Sequence, residues 1–369
     1  MNERVIVALS GGVDSAVAAL LLRRAGHDVE TLHMTNWEED EAGYCTAAAD
    51  WQDARLVAQE LGIPIHRVSF AAEYRERVFA HFLADYAAGL TPNPDVLCNR
   101  EVKFGVCLDY AKRLGGRRLA TGHYARIETR EGRARLLRAR DSDKDQSYFL
   151  QQMPRAALSE TLFPLGELDK REVREIARAA GLPVHDRPDS TGICFIGERP
   201  FRAFLESHLE ARPGWIETPA GERLGRHEGL MHHTIGQRQG LRIGGLARHA
   251  GTPWYVARKD LERNALVVVQ GHDHPLLQSA AFRVGSIAWL APAPGPTLAA
   301  CVQVRHRQAA VPCRLEWHAD GGEVTLDAPL RGIAPGQHAA FYADDECLGG
   351  GVIFGAPTVA RASLDTSAA

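Results

Sequence analysis

The hydrophobic positions of the chain follow two rhythms. Up to about residue 195, short apolar runs alternate with stretches whose apolar positions recur every three or four residues, the βαβ order of a doubly wound parallel sheet. Val5 to Leu9 predicts a buried strand, and Val29 to Met34, Ile65 to Phe70 and Arg118 to Thr121 predict three more. Between them the spacing predicts helices from Asp14 to Leu22, Asp50 to Leu61, Glu73 to Ala88 and Lys103 to Leu114, the last three stopped by glycine or proline. From about 196 the helical period fades while glycine and β-branched residues rise. Strands are predicted at Trp215–Ile216, Thr252–Ala257, Ala265–Gln270, Phe282–Trp289, Ala300–Arg305, Glu323–Leu326, His338–Tyr342 and Cys347–Ile353. A break near Gly271 to Pro275 divides this half into two small, mainly β units, the last with the strand count of a small barrel.

The turn between the first strand and first helix reads Ser10-Gly11-Gly12-Val13-Asp14-Ser15. A strand entering a helix through two glycines leaves backbone N–H groups unpaired at the positive end of the helix dipole, which makes an anion site. Ser10 and Ser15 add hydroxyl donors, and Asp14 is a suitable magnesium partner. The loop lacks the Walker lysine and the third glycine of the dinucleotide motif. It resembles the pyrophosphate (PP) loop of enzymes that split ATP between its α and β phosphates. Ligands of such sheets sit at the carboxyl ends of strands, so Met34 and Gly122 are expected to border the loop.

Composition narrows the class. The chain has 369 residues, 45% hydrophobic and 24% charged, with a net charge of −3. No apolar run reaches the roughly 18 residues a membrane span needs, and acidic and basic residues precede the first strand, so neither a span nor a signal peptide is expected. The expected compartment is the cytosol, where the seven cysteines are reduced by default, and none shows paired CxxC spacing. Lys112, Arg113, Arg117, Arg118, Arg126, Arg130, Arg133, Arg135, Arg138 and Arg140, with Lys144 just beyond, form a basic stretch. Charge alone leaves it open whether that stretch is a phosphate-binding face or a solvated surface.

Two cysteines stand in unusual company. Cys98 ends the polar, proline-bounded stretch Thr91-Pro92-Asn93-Pro94-Asp95-Val96-Leu97, ahead of the predicted helix, where a helix dipole favours a thiolate. Asp95 is a candidate general base or orienting group. Cys194 lies between glycines in Gly192-Ile193-Cys194-Phe195-Ile196-Gly197. Neither resembles a core position, whereas Cys107, Cys301, Cys313 and Cys347 fit small buried hydrophobes. Cys45 follows Glu38, Glu39, Asp40 and Glu41, which disfavour its thiolate.

The PP loop, Met34-Thr35-Asn36-Trp37, Asn93-Pro94-Asp95 with Cys98-Asn99, Ala120 to Tyr124, Asp143 to Leu150, Gly192 to Gly197, Thr234 to Arg238 and Leu348 to Gly351 occur in one order along nearly the whole chain. In that order they resemble the bacterial tRNA-specific 2-thiouridylases of the PP-loop superfamily. The resemblance implies an N-terminal PP-loop domain of the adenine nucleotide alpha hydrolase-like type over 1–198. It further implies a small β-rich domain over 199–274, a tRNA-contacting β-barrel over 275–357 and a frayed tail over 358–369. It implies an enzyme that adenylates the C2 oxygen of the wobble uridine in tRNAs for Lys, Glu and Gln, then replaces that oxygen with sulfur. By similarity Cys194 carries the persulfide and Cys98 is the nucleophile, the two ending as a disulfide. Ala8, Leu9, Ser10, Gly11, Gly12, Val13, Asp14 and Ser15 are implied to hold ATP and its Mg2+, with Met34 and Gly122 beside the adenosine. Asn93, Pro94 and Asp95 are implied to touch the flipped base, and His123, Lys144, Asp145, Gln146, Arg305, His306 and Gln337 to line the tRNA. A cysteine desulfurase or sulfur-relay protein is the implied persulfide source, and a monomer is the default. The competing expectations are another PP-loop synthetase or amidotransferase, which leaves both cysteines idle, and a non-catalytic tRNA-binding protein, which needs no PP loop.

Overall fold

The computed structural model describes residues 3–37, 47–189, 201–243, 251–318 and 321–359. Cys45 and Cys194 lie outside them. Five strands, β1 (Arg4–Ala8), β2 (Asp28–Thr35), β3 (Ile65–Ser69), β4 (Arg118–Ala120) and β7 (Thr161–Leu162), form an all-parallel sheet in the order β3-β2-β1-β4-β7. The apolar run of β1 is buried on both faces because alternate residues serve different cores. Val5, Val7 and Leu9 pack with α1 (Val13–Arg24), α2 (Ala47–Leu61) and the helix Lys170–Ala179. Ile6 and Ala8 face the other way, onto the helical runs 71–87 and 94–113. The expected Lys103–Leu114 helix is thus the second half of a longer run, which begins at the Asn93 cap and breaks at Gly105 (φ −104°, ψ −106°).

Four strands make the middle unit, in the order β10 (Trp254–Asp260), β11 (Ala265–Gln270), β8 (Gly214–Glu217) and β9 (Arg223–His227). The last unit is a closed barrel. Strands β12 (Gln278–Trp289), β15 (Gly321–Arg331), β14 (Val311–His318), β13 (Thr297–Gln303), β16 (His338–Ala343) and β17 (Glu346–Val359) pair in that order, and β17 returns to β12. Gly350 and Gly351 on β17 leave room that Gln151 and the Gly285 carbonyl fill.

The basic stretch supplies an unexpected hairpin, β5 (Arg126–Arg130) and β6 (Arg133–Leu137), which joins the barrel through β6 and β17. Its charges are largely met within the chain. Lys112 pairs with Glu160, Arg118 with Glu3, Arg126 with Asp345, Arg138 with Asp145 and Arg140 with Glu172, while Arg133 and Arg135 flank Glu346. Ion pairs within the chain thus engage most of the charges of this stretch.

Beside the sheet, Phe82 is fully buried against Phe79, Tyr86 and Phe201, joining the run 71–87 to the helix Phe201–Glu206. Phe82→Ala is expected to lower the unfolding free energy by about 3–5 kcal/mol, measured by urea denaturation.

Candidate active site

At the carboxyl end of β1 the chain turns with Gly11 at φ +90°, and Gly12 caps α1 without a side-chain bond of its own. The carbonyl of Gly11 is turned away and accepts from Arg187 at 2.9 Å, whose guanidinium also engages Asp50 and Asp53 on α2. The Ser15 hydroxyl donates to the Gly12 carbonyl at 3.0 Å and lies 3.1 Å from the Ser10 hydroxyl. With its carbonyls satisfied, the loop presents N–H groups of the first turn of α1 as an anion cradle.

Asp14 is engaged within the chain. Its carboxylate accepts from the Lys170 ammonium at 2.6 and 2.8 Å and from the Tyr124 hydroxyl at 2.8 Å. Burial and then the Asp14 carboxylate push the Tyr124 phenol far above its usual range, so it stays a donor. Among the described residues no group of three His, Cys, Asp or Glu side chains gathers to hold a metal ion. The donors around residues 10–15 suit an anion.

The end of β4 approaches this loop so closely that a Cβ on Gly122 would lie 2.7 Å from the Ser15 nitrogen and 2.8 Å from the Asp14 carbonyl carbon. The next residue, His123, faces the opposite way. Its Nδ1 lies 2.7 Å from the Thr121 hydroxyl, and its Nε2 lies 3.5 Å from the ammonium of Lys103, on the run that carries Cys98. Burial, then Lys103, holds the His123 pKa well below its usual value and keeps the ring neutral. Residues 122 and 123 therefore touch the nucleotide loop and the Cys98 helix respectively. Met34, half-buried at the end of β2, packs against the core cluster that includes Cys98.

Cys98 is a correction to the loop expectation. It is 1% exposed and lies in the helical run, not before it. Asn93, Pro94 and Asp95 supply the helix start: the Asn93 side chain accepts the Asp95 N–H at 3.2 Å, with proline in the first turn. Cys98 is thus beyond the first turn, where the helix dipole has weakened. Burial pushes the Asp95 carboxyl up, against the opposing charges of Lys103 and His306. Cys107, Cys313 and Cys347 are buried as expected, burial pushing each thiol up to about 12. Cys301 is half-buried.

Several residues expected to line tRNA are engaged inside the chain. Asp145 is 7% exposed, and its carboxylate accepts from the Ala139 N–H at 2.9 Å, the Ser147 hydroxyl at 2.8 Å and Arg138 at 3.1 Å. Gln146 accepts the Tyr124 N–H at 2.9 Å. Lys144 pairs with Asp189 at 2.7 Å. The Arg305 guanidinium donates to the Ile235 and Gly332 carbonyls at 2.8 and 2.6 Å, tying the middle unit to the barrel. Gln337 donates to the Thr91 carbonyl at 2.7 Å. His306 lies with Nε2 3.1 Å from the Asp145 carbonyl and its ring 4.6 Å from Phe149. Lys170 and Arg187 were not singled out by the sequence. The Asp169-Lys170-Arg171-Glu172 pattern marks a helix start but not which loop it will meet.

Three family models match consecutive parts of the chain. They are described as tRNA methyl transferase HUP domain over residues 3–198, tRNA methyl transferase PRC-barrel domain over 202–270 and Aminomethyltransferase beta-barrel domain over 279–353. The tRNA-specific 2-thiouridylase MnmA of Chromohalobacter salexigens is 54% identical over 95% of this chain and 92% of its own length. The proteins of that name from Hahella chejuensis and Pseudomonas aeruginosa are 52% and 54% identical, each over 95% of this chain and covering 97% and 94% of their own lengths.

Gly122→Ala is expected to force the two backbones apart and to weaken nucleotide binding by on the order of tenfold or more. Calorimetric titration checks this, with an unchanged far-ultraviolet circular dichroism spectrum as the control.

Proposed function

This chain belongs to the bacterial tRNA-specific 2-thiouridylase family, and on that premise we propose how its residues divide the reaction. The enzyme is a tRNA sulfurtransferase. A carbonyl oxygen is a very poor leaving group, so C2 of the uridine must be activated before sulfur can replace its oxygen. The anion cradle at residues 10–15 suits the phosphates of ATP, with Ala8, Leu9 and Val13 completing the loop and Met34 and Gly122 on the adenosine side. Uridine O2 attacks the α phosphorus, the bond to pyrophosphate breaks, and O2 now carries AMP, a good leaving group. Magnesium arrives with the nucleotide as part of the substrate.

Cys194 carries the incoming sulfur as a persulfide supplied by a desulfurase or relay protein. In one route the terminal sulfur attacks C2 and expels AMP, and Cys98 then attacks the Cys194 sulfur to release 2-thiouridine. In the other, Cys98 first cleaves the persulfide and the freed hydrosulfide attacks C2. Both leave a Cys98–Cys194 disulfide and require a two-electron thiol reductant to restore the enzyme. Asn93, Pro94 and Asp95 position the extruded base; the raised pKa of Asp95 suits it to hold or pass the proton. Wobble uridines of tRNAs for Lys, Glu and Gln, a cytoplasmic location and a monomer complete the reading.

One observation supports it: the adjacent residues Gly122 and His123 contact the nucleotide loop and the helix of Cys98, so the two candidate sites are tied through one dipeptide. The family models' wording of methyl transfer explains neither the nucleotide loop nor the two cysteines. Cys98→Ser and Cys194→Ser are each expected to abolish 2-thiouridine formation in vitro while ATP and tRNA binding persist. Thiolation by both serine variants would overturn the mechanism.

A further inference from the structure

Most arginines of the basic stretch meet carboxylates within the chain, but two arginines of the middle unit meet an aromatic ring instead. Trp215 on β8 lies directly opposite Arg226 on β9, and Glu217 lies opposite Arg223. In an unbroken ladder Glu217 would face Leu224, and Arg223 would point to the side of Ile216. One extra residue in β9 changes this. Leu224 turns to the core that holds Ile216, and Arg223 joins the face of Trp215. The guanidinium carbons of Arg223 and Arg226 stand 4.3 and 4.6 Å from the centroid of the same indole ring. All three residues are exposed, Trp215 at 36%. The Glu217 carboxylate is taken by Arg263 at 2.7 Å, and among the described residues neither Arg223 nor Arg226 forms an ion pair. Two like charges on one ring repel each other, and stacking in solvent adds little, so the fold gains little from the arrangement.

We infer that Trp215, Arg223 and Arg226 form an RNA-contacting patch on the middle unit, the guanidiniums meeting phosphates of the substrate tRNA and the indole stacking on a base or sugar. The inference rests on the reading of the chain as a tRNA sulfurtransferase, and it adds a contact that none of the motif residues supplies. Guanidinium forks match phosphate oxygens, and an aromatic ring offers every nucleobase a face to stack on. Such a contact positions the tRNA without reading its sequence. An acidic polypeptide would meet the two charges but would leave the ring between them unused, so RNA is the occupant that fits all three side chains.

The test is binding of unmodified tRNA to the full chain over a series of salt concentrations, with ATP binding and melting temperatures recorded beside it. Arg223→Gln combined with Arg226→Gln is expected to weaken tRNA binding by on the order of tenfold near 0.1 M salt and to lower the slope of log K against log salt by about one to two. Trp215→Ala is expected to cost about fivefold or more and to keep that slope, because it removes stacking but no charge. Arg226→Gln alone, with a slope lower by about one, serves if the double variant does not fold. Unchanged tRNA affinity and slope in the glutamine variants, the result expected of a patch that serves an acidic protein, overturns the inference. So does an equal loss of ATP binding, which would place the effect in the fold. A wild-type chain that binds no tRNA overturns the functional reading beneath it, an outcome distinguished by needing no variant.

Discussion

The backbone at the end of β4 and the first turn of α1 come so close that no side chain fits between them, and Gly122 occupies that contact. Two neighbouring strands of a parallel sheet are thereby locked at their carboxyl ends, where ligands of such sheets bind. The direction of His123 follows from the direction of Gly122. With one residue against the nucleotide loop, the next projects to Lys103 and so fixes where the Cys98 helix stands. The conformation of the loop depends on the same principle of satisfied carbonyls: Arg187 and Ser15 take the oxygens, leaving nitrogens for an anion.

A second constraint joins the units. The segment from Asp145 to Gln152 bonds the nucleotide side, the Cys98 helix and the barrel in turn. Gln146 holds Tyr124, the Phe149 carbonyl accepts from Asn99 at 2.9 Å, Tyr148 donates to the His338 carbonyl at 3.1 Å, and Gln152 donates to the Ser286 carbonyl at 2.8 Å. The hairpin β5–β6 adds strand pairing to the barrel, and Arg305 fastens the middle unit. The nucleotide loop, the Cys98 helix and the barrel are thus tied together by residues from widely separated parts of the chain.

The parallel sheet was legible because its strands are buried on both faces and read as unbroken apolar runs. The nucleotide loop was legible because its two glycines, serines and aspartate are contiguous. The hairpin was not, since nothing local in Arg133-Ala134-Arg135 points to Glu346, which stands between the two arginines. Cys98 looked exposed because prolines and asparagine, which make loops, also start helices. Lys170 and Arg187 were invisible, because ion pairs across 156 and 137 residues leave no local pattern. The polar motif residues Asp145, Gln146 and Arg305 had no signal to distinguish an internal bond from an RNA contact.

The most direct measurement is mass spectrometry of the wobble uridines in tRNA from cells lacking this gene, with and without a plasmid copy. Loss of 2-thiouridine and its return with the plasmid are the predicted results. Unchanged 2-thiouridine in the deleted strain would contradict the assignment of a nucleotide-activated sulfur transfer to this crevice.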